Sequence, residues 1–178
     1  MREYTKLETI GANTPYIAMV LLGGATMAYA YGSSAWALTG AAGYLAYGVA
    51  GAFWVMIFVC PYCAYHGTTA CPCGYGALSA RMVGKGDRDC FAAKFKRHIP
   101  AIVPLWMIPI ACGGMALWHS FSWRLVGLVA VFVVESWIIL PIVSRRYACT
   151  DCPQKDDCPW MTVKKTPQRA TRDQRRQA

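Results

Sequence analysis

Residues 15–59 read PYIAMVLLGGATMAYAYGSSAWALTGAAGYLAYGVAGAFWVMIFV, a stretch without one Asp, Glu, Lys or Arg. It lies inside a longer uncharged run from Thr9 to Ala80, and a second such run extends from Ile99 to Trp123. A water-soluble fold needs charged outer faces, so segments like these have to meet lipid or one another. The runs are continuously apolar rather than alternating, which selects helices over barrel strands. A helix needs about 20 apolar residues to cross the hydrocarbon core. By that measure the chain reads as an all-α membrane protein with four transmembrane helices, near residues 15–31, 35–59, 99–118 and 125–144. The first stretch also has the outline of a cleaved leader, with Arg2 and Lys6 before it and Ala28-Tyr29-Ala30 at its end. Cleavage would leave three spans and move nothing downstream.

Lys and Arg in short loops are retained on the cytoplasmic side. Of the 18 basic residues, an inside amino terminus gathers all but Arg124 on one face. The expected location is therefore the inner cell membrane, with both termini and the central loop cytoplasmic. Residues 1–160 form one polytopic domain, and 161–178 form a basic, polar tail expected to be disordered. The net charge of +9 reflects this topology and an attraction to anionic lipid, so nucleic acid is not an expected partner.

Within the first two spans, Gly23, Gly24, Gly40, Gly43, Gly48 and Gly51 allow close helix approach, predicting a tight hairpin through Gly32-Ser33-Ser34. Pro100, Pro104 and Pro109 predict a bent third span whose freed carbonyls find other partners. Asp87 is placed to cap a short surface helix in which Phe91 and Phe95 share a face.

Seven of the nine cysteines fall in two groups. Cys60-Pro-Tyr-Cys63-Ala-Tyr-His66, then Cys71-Pro-Cys73, follow the second span. Cys149-Thr-Asp-Cys152-Pro, then Cys158-Pro, follow the fourth. The two C-x-x-C pairs are 85 residues apart in sequence, yet both spans end on the cytoplasmic side. Thiolates two residues apart in a turn can face one metal, and a reducing compartment argues against structural disulfides. With His66 the groups supply eight candidate ligands: Cys60, Cys63, His66, Cys71, Cys73, Cys149, Cys152 and Cys158. Spacing alone fits zinc as well as iron–sulfur. The usefulness of a cluster beside a bilayer favours iron–sulfur, with the seven cysteines as its binding residues. Cys112, alone within a span, reads as packing, and Cys90 as a spare ligand at most.

Glu135 is the one acidic residue inside any span. Such a carboxyl commonly serves proton, ion or substrate movement, or else is hydrogen-bonded to a neighbouring helix. No nucleotide loop, catalytic triad or metalloprotease motif occurs, so whether the chain is an enzyme stays open. The leading expectation is a membrane-anchored redox protein, a subunit of a larger membrane complex, carrying a cytoplasmic thiolate-bound metal site for electron transfer. The alternatives are a soft-metal-ion binding or transport protein using the same cysteines, and a thiol-disulfide oxidoreductase.

Overall fold

The computed structural model describes residues 3–32, 34–149, 152–155 and 158–161, and every regular element among them is helical. Four long helical columns form a bundle: α1 (Lys6–Ala30), α2 (Ala35–Phe58), α5 (Pro104–His119), and α6 (Trp123–Val134) continued by α7 (Leu140–Val143). Two short helices, α3 (Tyr75–Met82) and α4 (Phe91–His98), lie in the segment between α2 and α5. Three stretches, Ala35–Tyr62, Arg88–His119 and Trp123–Tyr147, are long and apolar enough to cross a membrane.

α1 is long enough too, but its first turns are polar. It starts earlier than its apolar stretch, because Thr5 and Glu8 form a capping box. Glu8 N–H donates to Thr5 Oγ1 at 3.3 Å, and Thr5 N–H donates to Glu8 Oε2 at 2.9 Å. The helix packs against α2, α5, α6 and α7, and its Met19 and Thr26 are fully buried. It is thus the helix in the middle of the bundle.

Small residues set the spacing of α1 and α2, as expected from the glycines. A Cβ on Gly23 would fall inside the Tyr44 side chain, and one on Gly48 would stand 2.6 Å from Val20. Gly43 has nothing near it, so its smallness is not used there. The expected turn passes through Ser33, which lies outside the described residues; Ser34 caps α2 by accepting Ala37 N–H at 3.2 Å.

The prolines free carbonyls, and neighbouring helices supply the replacement donors. Pro109 has no N–H to give Leu105, and Tyr44 Oη donates to Leu105 O at 2.8 Å instead. Between α6 and α7 the chain runs as a π-helix, Glu135–Ile139, with Leu140 N–H donating to Glu135 O. In that register residue 141 would serve Ser136 O, but residue 141 is proline. Trp106 Nε1 donates to Ser136 O at 3.3 Å. A second π-helical segment, Ser144–Ala148, ends the column.

Asp87 caps the 3-10 turn Arg88–Cys90 that leads into α4, accepting Asp89 N–H at 3.1 Å, and not α4 itself, which follows Cys90 without a side-chain cap. On α4 the Phe91 and Phe95 rings share a face as expected, 5.8 Å apart. Its apolar face is not left open, since Phe91 is buried together with Val59 and Cys158, with Trp160 and Met161 packed against them. The opposite end of the bundle carries highly exposed aromatic residues at the two tight turns, among them Trp36, Trp118 and Trp123. The expected disordered tail lies, from residue 162 on, outside the described residues.

Replacing Tyr44 by Phe should destabilise the protein by about 1–2 kcal/mol, because Leu105 O is then buried without a donor. Adding Pro109→Ala should recover most of that loss, since residue 109 can then donate within α5. Thermal or denaturant unfolding in detergent measures both. Equal losses in the single and double variants would mean that the hydroxyl is not serving the proline's orphan.

Candidate functional site

Six of the seven clustered cysteines open a turn closed by a backbone bond three residues on. Cys63 N–H donates to Cys60 O at 3.0 Å, and Cys152 N–H to Cys149 O at 3.2 Å, so both C-x-x-C pairs have the same local bond. Cys63, Cys71, Cys152 and Cys158 accept in the same way from His66, Gly74, Lys155 and Met161, at 3.0–3.1 Å. In the four Cys-Pro sequences the proline occupies the second turn position, where its fixed φ preorganises the bend. Gly74, closing the Cys71 turn, has φ +72°, a backbone state that favours glycine.

The two groups meet. Gln154, between Cys152 and Cys158, inserts its amide against the backbone on either side of Cys63. Its Oε1 accepts Ala64 N–H at 2.7 Å, and its Nε2 donates to Tyr62 O at 3.3 Å. From the other side, Asn13 of α1 donates from Nδ2 to Cys73 O at 3.0 Å and to Thr9 O at 2.8 Å. Thr69 Oγ1 adds a bond to Glu3 Oε1 at 3.0 Å. Arg145, at the end of the last column, lies over the Trp160 ring, 5.6 Å from its centroid. The loop after α2, the start of α1 and the segment after α7 are thereby fastened together at one end of the bundle.

The thiols within this junction feel one another. Cys63 lies in the field of Cys152, Cys71 and Cys158; Cys73 in that of Cys71, Cys149 and Cys63; and Cys60 in that of Cys63, Cys71 and Cys73. Burial first, and then these neighbouring thiols, push Cys63 up to about 11 despite a bond from the Tyr65 backbone, and push Cys73 up to about 12. Burial and the neighbouring Cys158 and Cys152 raise Cys149 to about 11, with Arg145 opposing. Cys152 is shifted in the same direction, mainly by burial. Among the described residues, no group of three or more His, Cys, Asp or Glu side chains is drawn together tightly enough to hold a metal ion. The thiols of the two groups interact pairwise across the junction without closing into such a group.

His66 is buried, with Nδ1 3.4 Å from Ser79 Oγ, and Ser79 donates to Met56 O at 2.6 Å. That leaves Nε2 as the ring's remaining ligand atom. Cys90 is exposed, and Cys112 lies in α5. Glu135 opens the π-helical segment and borders a cavity of about 740 Å³ between α1 and the α6–α7 column. Among the described residues no Ser, Tyr or Trp hydrogen-bonds its carboxyl, and no ion pair reaches it. Gln154, Asn13 and Ser79 were not expected from the sequence. A lone polar residue between two cysteines gives no signal of its partner 90 residues away.

Comparison of the chain with known protein families, curated protein sequences and solved structures returns no match.

A raised thiol stays protonated at neutral pH, so its nucleophilicity appears only as pH climbs toward the raised value. In metal-free protein at pH 8 the exposed Cys90 should alkylate well before Cys63, Cys73 and Cys149. At pKa 11 a thiol is ionised there to about one part in a thousand. Their alkylation rates should still be rising between pH 9 and 11, as read by peptide mass mapping. Gln154→Leu should release the returning segment and selectively speed labelling of Cys152 and Cys158; unchanged rates there would leave the Gln154 clasp without a structural role.

Proposed function

We propose that the chain is a four-span inner-membrane protein whose cysteine-rich end faces the cytoplasm and holds a thiolate-bound iron–sulfur centre, through which it passes electrons as a subunit of a membrane redox complex. The observation that carries this reading is the Gln154 clasp, which joins two cysteine groups remote in sequence into one assembly. α1 supplies the fourth span, its polar turns lying at the cysteine end and its remainder surrounded by the other columns. Orientation rests on the sequence, in which every basic residue but Arg124 falls in a segment expected on the cysteine side, and on the exposed aromatic residues at the other end.

Cys63, Cys73, Cys149 and Cys152, held where burial disfavours their thiolates, call for a compensating cation if they are to ionise. A metal centre provides it, and each thiolate it takes displaces a proton, so uptake should strengthen with pH. An iron–sulfur cluster spreads its thiolate ligands over several metal atoms and suits a wide donor set better than a lone zinc ion does. When bound, such a centre supplies one-electron redox chemistry. The chain's own part is to position Cys60, Cys63, Cys71, Cys73, Cys149, Cys152 and Cys158, to hold the two groups in register through Gln154 and Asn13, and to exclude water. His66, oriented through Ser79, is the eighth candidate ligand.

Anaerobically purified protein should contain iron and acid-labile sulfide, with a visible or EPR spectrum that responds to reduction. Cys149→Ser with Cys152→Ser should lower the iron content and also change the spectrum of what remains. Zinc or copper without sulfide selects the metal-binding or transport alternative, and a disulfide in the purified chain without metal selects the thiol-disulfide one. A truncated chain 1–146 that kept all its metal and the same spectrum would overturn the joint site.

Topology has its own check. Cysteines introduced at Ser34 and Ser120, in a background lacking the native ones, should react with an impermeant thiol reagent in intact cells. Labelling of a cysteine placed at Lys85 instead would reverse the orientation.

A further inference from the structure

The cavity between α1 and the α6–α7 column has no part in holding the thiols. It begins at Glu135, the thirteenth residue of the 25 in Trp123–Tyr147, and ends roughly 15 Å along that column at Arg146 and Tyr147. Its volume, about 740 Å³, is that of a small-molecule pocket. Ala18, Ile139 and Val143 provide apolar wall. Two features make it more than an apolar groove. Glu135 offers a carboxyl at mid-span, where α6 ends and the π-helical segment begins, and no group among the described residues engages it. Across from it, Pro15 withholds the N–H that would otherwise serve Gly11 O, and both residues border the same space. At the cysteine end the cavity is closed in part by Pro72, the residue between Cys71 and Cys73.

We propose that this cavity binds the ring of a lipid-soluble quinone, with Glu135 hydrogen-bonded to a ring carbonyl and the isoprenoid tail leaving along the apolar wall. The choice of a redox ligand rests on the electron-transfer reading of the neighbouring thiols. The shape and chemistry of the pocket do not. A quinone is flat, uncharged and apolar apart from its carbonyls, matching one hydrogen-bonding carboxyl in an otherwise apolar wall. A phospholipid would set its phosphate at Arg146, by the cysteine end, and would offer the Glu135 carboxyl at mid-span only hydrocarbon. A hard cation would find too few oxygens around Glu135 to replace its water. Pro72 borders the same cavity at its cysteine end, roughly 15 Å from Glu135, between Cys71 and Cys73.

The test uses the full-length protein, purified in detergent and titrated with a ubiquinone analogue and a menaquinone analogue, each with a shortened tail. Binding is followed by equilibrium dialysis and tryptophan quenching. One of them should bind saturably at one site per chain. Glu135→Leu should weaken binding at least about tenfold, the worth of one buried hydrogen bond, whereas Glu135→Gln, which can still donate, should retain most of it. Gly11→Leu fills the space from the opposite wall; a Cβ there meets no atom within 4 Å, so the helix tolerates it. It should abolish binding with thermal unfolding unchanged, and this holds the test open if Glu135→Leu fails to fold. Uptake no greater than that of empty micelles, affinity untouched by both Gly11→Leu and Glu135→Leu, or displacement of the quinone by phosphatidylglycerol at equal concentration would overturn the proposal. Iron and sulfide measured on the same preparation separate the two readings. Quinone binding without iron removes the cluster and leaves the pocket; iron without quinone does the reverse.

Discussion

A carbonyl buried in an apolar bundle that has lost its own N–H must find another donor, and this constraint organises the helices here. Pro109 and Pro141 create such vacancies at Leu105 and Ser136, and an aromatic side chain from a neighbouring column meets each of these two. Tyr16 makes a third such crossing, donating from α1 to Gly48 O of α2 at 2.7 Å. These bonds are directional where apolar packing is not. Small residues let the backbones approach, and the aromatic donors then fix rotation and height, so that several columns deliver their ends to one level.

At that level the structure uses a single local device repeatedly. A cysteine, often followed by proline, starts a turn and is held in it by its own carbonyl. Turns of this kind are autonomous and short, so their relative placement depends on a few long-range bonds. Gln154 fixes the returning segment, Asn13 fixes the loop from the side of α1, and the packing of Phe91, Val59 and Cys158 closes the space beneath α4. The same enclosure that gathers the thiols also raises the cost of ionising them.

The sequence made the helical class, the hairpin of the first two columns and the meeting of the cysteine groups legible, because each depends on composition or on parity of spans. The apolar stretch from Pro15 marks a span and not the helix start: α1 begins nine residues earlier, at Lys6, where the Thr5…Glu8 capping signature stands in the sequence. The carbonyls freed by Pro109 and Pro141 were inferable in kind, whereas their donors were not, since Tyr44 and Trp106 lie far away in sequence. The π-helical register at Glu135 left no local trace, and so neither did the cavity it borders. Gln154 was illegible for a related reason: its role comes wholly from what lies opposite it once the bundle has closed.

The Gln154 clasp also sets an order in time. Ala64 and Tyr62 are synthesised some 90 residues before the side chain that holds them. At the roughly 5–20 residues per second of translation, the first cysteine group waits about 5–20 s before its counterpart exists. During that interval the nascent loop presents four thiols at the membrane surface with no partner group. Until the carboxyl-terminal segment arrives, the protection of these thiols from oxidation has to come from outside the chain.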